Sequence, residues 1–526
     1  MSRSASSLIR GIVPVSATIV VVVLASLSLA PSVSSGAPAR AAAGDSVSGL
    51  YQLLGSASSM GTAPTGASDA SSVLSPTRTR PADATCKPPY GWLRTQGAWI
   101  VEASDPSCKV RLFGVTWYGM QSTTFTLAGL DFKPYTAILQ EIANLGFNSI
   151  RIPLSDQLVK YNSKIKISPK WMRAQNTKDL PRNCHPLYLL NKVVAAAGRL
   201  HLMIILDNHF SAARKASDVA NHVGIRHDVV RKNTEPTWAS DGYTTKQWID
   251  DWLTLAKWYQ KNPTVIGFDL RNEPHTDHSH SYWSLNDYLT RGATWGPCTP
   301  ALCGTASKKW KASSDWVTAA EKCGDAIQKV NPHLLLFVEG VQLYPDPKEK
   351  HGVEPYWWGS ILKGVATDPI KFTLPNQLVY SPHEWGPWKC CGLVGEFGSK
   401  TTYASVVKIF TANWAYILTD PSVQAPIWLG EFNTCNSPQP HTRWTYAIKT
   451  ANACVYGKKA GSEGQWFQIL IKFLQKNPEI GWCYYPLNGT NVLNETSSNS
   501  ILNSRWTKPR LPSLMSALKS IETQPN

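Results

Sequence analysis

At 526 residues the chain can hold several domains of about 100–200 residues, or one large barrel carrying insertions. Its 52 Lys and Arg against 36 Asp and Glu give a net charge of +16, but the basic residues are scattered in pairs such as Lys308-Lys309 and Lys458-Lys459. Such scatter makes a solvated basic surface, suited to acidic cell walls, and excludes a nucleic-acid footprint.

Arg3 and Arg10 precede an uncharged apolar stretch over 11–30, with small-residue sites at Ser28-Leu29-Ala30, Ala39-Arg40-Ala41 and Ala41-Ala42-Ala43. Residues 1–43 therefore read as a secretory signal, or as a signal anchor, since about 20 apolar residues just span a bilayer. The expected location is extracellular, or membrane-anchored with an extracellular remainder. Residues 44–85, rich in Ser, Ala, Gly, Thr and Pro, read as a flexible linker, and 86–526 as one folded unit. Secretion makes the 11 Cys candidate disulfides. Cys86 and Cys108 flank an expected hairpin over 92–101, and Cys298 and Cys303 bracket a short loop. Cys390, Cys391, Cys435 and Cys454 lie in two long loops, and Cys483, inside an apolar strand, is the expected free thiol. The cysteines lack the paired CxxC or His spacing of a zinc site.

From Cys86 onward, apolar strand-like runs alternate with helical patterns. Strands are expected at 110–117, 147–153, 201–208, 264–271, 334–339, 378–381, 426–430 and 480–485. The clearest helix is 246–260, with Ile249, Trp252, Ala256 and Tyr259 on one face and a capping box between Thr244 and Gln247. Eight such repeats predict an α/β fold, a (β/α)8 TIM barrel with a small N-terminal hairpin. The unit exceeds the usual ~250 residues, and the excess falls in loops after strands 2, 3, 4, 6 and 7, at the C-terminal face.

Two glutamates end two of these strands. Val265-Ile266-Gly267-Phe268-Asp269-Leu270 runs into Arg271-Asn272-Glu273-Pro274-His275, and Ala425-Pro426-Ile427-Trp428-Leu429 into Gly430-Glu431-Phe432-Asn433. Carboxylates at the mouths of strands 4 and 7 face each other, the arrangement needed to cleave a glycosidic bond. The 22 Trp and 19 Tyr supply apolar faces on which sugar rings stack, or ordinary core. Asn272 is placed to donate to a sugar hydroxyl. Arg151 on strand 2 would keep a nearby carboxylate ionised. His209 after strand 3 and His383 after strand 6 are placed to orient the carboxylates.

These segments together resemble glycoside hydrolase family 5, of the cellulase type. The likeness runs through Phe113-Gly114-Val115-Thr116-Trp117, Gly146-Phe147-Asn148-Ser149-Ile150-Arg151-Ile152-Pro153, Ile205-Leu206-Asp207-Asn208-His209, Asn272-Glu273-Pro274-His275, Phe337-Val338-Glu339-Gly340, Tyr380-Ser381-Pro382-His383 and Trp428-Leu429-Gly430-Glu431-Phe432. It implies a retaining double displacement with Glu431 as nucleophile and Glu273 as acid/base, supported by Arg151, Asn272, His209 and His383. It further implies no cofactor and no metal, a β-glucan substrate and a monomer. The bacterial-type endo-β-1,4-glucanases are the most similar branch. Another β-glycanase activity, or a silent wall-binding protein, is the alternative.

Two positions depart from the family pattern. Trp385 stands where a Tyr usually follows the strand-6 His, and Tyr485 where strand 8 usually supplies a Trp platform. Trp117 and Tyr243 are the leading further sugar contacts, ahead of Tyr118, Trp295, Tyr344, Trp357 and Trp388. Of two glycosylation sequons, at Asn488 and Asn494, only Asn494 is expected to be available.

Overall fold

A computed structural model describes residues 86–215, 235–277, 283–387, 397–438, 448–493 and 499–525. The expected signal, linker, Trp388, Cys390, Cys391 and Asn494 lie outside them.

The chain opens with the antiparallel hairpin β1 (Leu93–Gln96) and β2 (Trp99–Glu102), stapled by the Cys86–Cys108 disulfide. The barrel strands follow as β3 (Phe113–Thr116), β4 (Ser149–Ser155), β5 (Met203–Phe210), β6 (Val265–Asp269) and β7 (Leu335–Val338). A side hairpin, β8 (Leu343–Pro345) and β9 (Val353–Pro355), precedes β10 (Leu378–Tyr380), β11 (His383–Glu384), β12 (Trp428–Phe432) and β13 (Gly481–Tyr484).

The barrel strands pair in parallel in the order β10-β7-β6-β5-β4-β3-β13-β12-β11. β10 and β11 are two pieces of one strand, interrupted at Ser381-Pro382. A parallel bridge from Tyr380 to Ile427 and a hydrogen bond from the Gly430 N–H to the Pro382 carbonyl close the ring. All eight expected strands are present.

Seven of the eight barrel strands are followed by an α-helix, among them Tyr135–Asn144, Pro186–Arg199, Thr245–Trp258, Trp316–Val330 and Glu463–Lys476. The fifth departs from the expected repeat. Between β7 and β10 the chain makes the β8–β9 hairpin and a 3-10 turn, Lys363–Ala366. Pro345, Pro347, Pro355, Pro369 and Pro375 interrupt that stretch, and each removes a donor that a continuous helix needs. The capping box forms as expected: the Thr244 hydroxyl accepts from the Gln247 N–H, and the Gln247 side chain accepts from the Thr244 N–H. The buried face of this helix is Trp248, Trp252, Leu255, Ala256 and Tyr259, which leaves Ile249 at its edge. Among the described residues, no helix is long and apolar enough to cross a membrane.

The core has two layers. One packs the strands' outward faces against the helices. The other fills the lower barrel with Leu112, Met203, Ile205, Ile266, Leu335, Phe337, Val379, Trp428 and Cys483, and Leu93 and Ile100 of the hairpin join it from below. Cys298 bonds Cys303 and Cys435 bonds Cys454. Cys483 is a free thiol as expected, and so are the buried Cys184 and Cys323.

Candidate active site

Above the apolar floor, the same strands turn charged. β5 runs Met203, Ile205, then Asp207 and His209, and β7 runs Leu335, Phe337, then Glu339 just past its end. Arg151, rising from β4, is completely buried and gathers these groups. Its Nε donates to Asp269 Oδ2 at 3.0 Å, and its Nη2 to Asn272 Oδ1 at 2.9 Å. Nη2 also lies 3.2 Å from Glu339 Oε1 and 3.3 Å from Asp207 Oδ1. Nη1 donates to Glu431 Oε1. The fork geometry of a guanidinium is what lets one cation hold so many acceptors.

Glu431 lies within β12 and is 4% exposed, whereas Glu273 sits just past β6 with its side chain 17% exposed. The Glu273 backbone has φ of +48°, a left-handed conformation that a non-glycine residue keeps only when its surroundings hold it there. Its N–H donates to Glu339 Oε2 at 2.6 Å. Gly359 lies against the same carboxylate: a Cβ there would fall 2.3 Å from Glu339 Oε2. Carboxylate oxygens of Glu273 and Glu431 and a ring nitrogen of His383 all lie within 4.8 Å of one another.

His383 Nδ1 is 3.0 Å from Glu273 Oε1, and its Nε2 is 3.1 Å from Glu339 Oε1. Burial pulls this imidazole down, but Glu339, Glu431 and Glu273 outweigh burial and hold it well above its ordinary pKa. With carboxylates at both ring nitrogens and a proton so firmly held, His383 offers no lone pair to a metal ion. Burial pushes Glu273 up, yet the hydrogen bond and charge of His383 outweigh it and hold the carboxyl down at about 2. Burial drives Glu339 well above the carboxylate range, and burial with Asp207 nearby lifts Asp269 to about 7 despite Arg151. The physical cause is a charge surplus. Five carboxyls (Asp207, Asp269, Glu273, Glu339 and Glu431) face one guanidinium and one imidazole, and this crowding with burial pushes Asp269 and Glu339 toward their protonated forms.

The other expected residues divide. His209 pairs through Nδ1 with Asp207 Oδ2 at 2.7 Å, and it lies near enough to Glu273 to help hold that carboxyl down. Tyr485 is half-buried, stacked on Tyr118 at 5.7 Å between ring centroids and edge-on to Trp385 at 6.2 Å. The two departures from the family pattern are therefore in contact with each other. Burial and the Glu431 charge push the Tyr485 phenol well up.

Trp117 is not a sugar contact. It is fully buried in the outer core, and its indole N–H donates to the Ala128 carbonyl at 3.0 Å. Trp295 is likewise buried, its N–H donating to the Asp368 carbonyl at 2.9 Å. Tyr243 lies under the Lys160 ammonium, 5.1 Å from its ring centroid, in the loops after β4 and β5. Asn488 is buried with both amide atoms engaged by Tyr118 backbone, its Oδ1 accepting at 3.2 Å and its Nδ2 donating at 3.1 Å, so that sequon is closed to modification.

Asp207, Asp269 and Glu339 were not singled out by sequence. Glu339 carries the signal that marked the two glutamates, an acid just past a short apolar run. A second network, in which Arg271 and Arg214 both bind Glu235 (2.9 and 3.2 Å), ties the loop after β5 to the segment bearing Glu273.

Comparison with known proteins gives a consistent result. The family model described as cellulase (glycosyl hydrolase family 5) matches residues 108–491. An endoglucanase of Paenibacillus polymyxa is 29% identical over 429 residues, 81% of this chain and 86% of that protein. The major extracellular endoglucanase of Xanthomonas campestris pv. campestris is 23% identical over 409 residues, 77% of this chain and 66% of that one. Among solved structures, an endocellulase from Pyrococcus horikoshii in complex with cellotetraose superposes with a TM-score of 0.61 at 26% identity, covering 83% of this chain and 100% of that one.

Proposed function

Since the chain belongs to glycosyl hydrolase family 5, we propose that it is a secreted retaining endoglucanase acting on internal β-1,4 bonds of cellulose or a related β-glucan. The observation that carries the mechanism is the 4.8 Å limit on the separation of the Glu273 and Glu431 oxygens. Retaining enzymes place their carboxyls about 5–5.5 Å apart, and inverting ones leave about 6.5–9.5 Å for a water between them. Glu431, held by Arg151, attacks the anomeric carbon; Glu273 protonates the leaving oxygen and then activates water. Asn272, whose Oδ1 is taken by Arg151, keeps its Nδ2 for a substrate hydroxyl. The relatives' names and the cellotetraose complex support a β-glucan as substrate. Trp385 and Tyr485, which stand where the family usually has a Tyr and a Trp and touch each other, support a second reading of specificity within the same chemistry, that of a β-mannanase, a β-1,3-glucanase or a glycolipid glycosidase.

The test is reducing-end release from carboxymethylcellulose, glucomannan and lichenan beside a Glu431→Gln control, with proton NMR of the first product's anomer. Release confined to the mannan would overturn the cellulase reading, and an initial α-anomer would overturn retention.

A further inference from the structure

Glu273 keeps a left-handed backbone, so its surroundings must hold it there. The hydrogen bond from its N–H to Glu339 Oε2 is one hold. Two more lie two residues to either side, and both end on the dipeptide Glu235-Pro236. Ahead of Glu273, Arg271 Nη2 donates to Glu235 Oε2 at 2.9 Å, while its Nη1 donates to Asn208 Oδ1 at 2.9 Å. Beyond it, the His275 N–H donates to the Pro236 carbonyl at 3.0 Å. The Asn272 N–H donates to the Asn208 carbonyl at 2.9 Å, which fastens the same turn to β5. The clamp is itself buried and anchored. Arg271 is 1% exposed and Glu235 4%. The Glu235 carboxylate also accepts from the Ser211 and Ala212 N–H groups just past β5, and its Oε1 lies 3.2 Å from Arg214 Nη2. Burial pushes this carboxyl up, but Arg271 and Arg214 outweigh burial and hold it down. A buried ion pair is weak evidence for stability. What the planar guanidinium supplies here is a fixed geometry.

We propose that Arg271 and Glu235 are positioning residues for the acid/base step: by gripping the chain on both sides of Glu273, the clamp sets the turn that aims its carboxyl at the glycosidic oxygen. The role rests on the glycosidase reading above. Neither residue needs to touch the substrate. Without the grip at Arg271, the backbone at Glu273 relaxes from its left-handed conformation and the carboxyl swings away from the leaving oxygen. Glu431 stays in place, because it is built on β12 and held by Arg151. A displacement of about 1 Å at a reacting group costs on the order of 100-fold in rate, so a clamp remote from the bond being cut can govern the step.

Arg271→Met tests this in the full chain, because Met keeps the stem's apolar bulk and leaves Glu235 paired with Arg214. Two substrates separate the aim of Glu273 from the general integrity of the site. The sugar leaving group of cellopentaose must be protonated, whereas the dinitrophenolate of 2,4-dinitrophenyl β-cellobioside departs unaided as Glu431 bonds to the anomeric carbon. Turnover of cellopentaose should fall by about 30-fold or more with KM within about threefold of wild type, while the rate of the dinitrophenolate burst stays within about threefold. A smaller folded fraction would lower the burst's amplitude and not its rate. Equal losses in the two rates, or none in either, overturn the clamp. Should the Met variant not fold, Glu235→Asp decides, since it keeps both charges and draws the grip back by one methylene. A loss of about fivefold or more confined to cellopentaose is then expected, and an equal loss on both substrates, or none, overturns it. A wild type inert toward both substrates would overturn the glucanase reading and this role with it, whereas an active wild type puts the clamp alone on trial.

Discussion

The floor and the mouth of this barrel are built on the same strands and obey opposite rules. The floor is apolar side chains in mutual contact, such as Phe337 edge-on to Trp428 at 4.9 Å, closed from below by the β1–β2 hairpin. The mouth, two residues further along β5 and just beyond β7, is a buried charge cluster with more acids than cations. Burial of the first kind contributes stability through area removed from water. Burial of the second kind costs stability and is retained for chemistry. A single strand thus changes from an apolar structural element to a charged one within a few residues.

The most forceful test of that division is Glu431→Gln. Activity should fall by about 10^4-fold or more, while the thermal midpoint stays level or rises, because one charge is removed from a cluster of five crowded carboxyls; a falling midpoint would contradict the division. Arg151→Met attacks the mouth from the other side and leaves several buried carboxylates unpaired. It should cost about 3–5 kcal/mol in urea unfolding at pH 7, with the deficit shrinking at lower pH as those carboxylates take up protons. Phe337→Ala in the floor should cost about 3 kcal/mol, yet leave turnover per folded molecule within a few-fold of wild type. The mildest test is Asp269→Asn. Asp269 binds its proton more tightly folded than unfolded, so its contribution is fully present below about pH 4 and is lost as pH rises through about 7. Wild-type stability relative to the Asn variant should therefore decline across that window, and a flat difference would place the charge elsewhere.

The architecture was legible because its signals are local. Each barrel strand is a short apolar run, and Thr244 with Gln247 announces a helix start in four residues. Glu273, Glu431, Arg151 and His383 were legible from their places at strand ends. Less local features were not. Trp117 and a cleft platform look alike until the chain is folded, since both follow an apolar run; only the core around Trp117 decides the matter. The contribution of His209 depends on Asp207, and that of Glu339 on His383 from a distant strand. The helix missing from the fifth repeat was in principle readable from the prolines between β7 and β10, each of which breaks a helical run that the eightfold repeat would require.

Cys483 sits where floor meets mouth, its Sγ 3.4 Å from Thr116 Oγ1 and its thiol pushed up by burial to about 12. At neutral pH such a sulfur is neutral, enclosed and inert to alkylating reagents. Its labelling therefore requires the barrel wall to part between β13 and β3. The rate at which a bulky thiol reagent consumes Cys483 under native conditions would count those openings one by one. The protein thus carries its own clock for how often the wall beneath Glu273 and Glu431 comes undone.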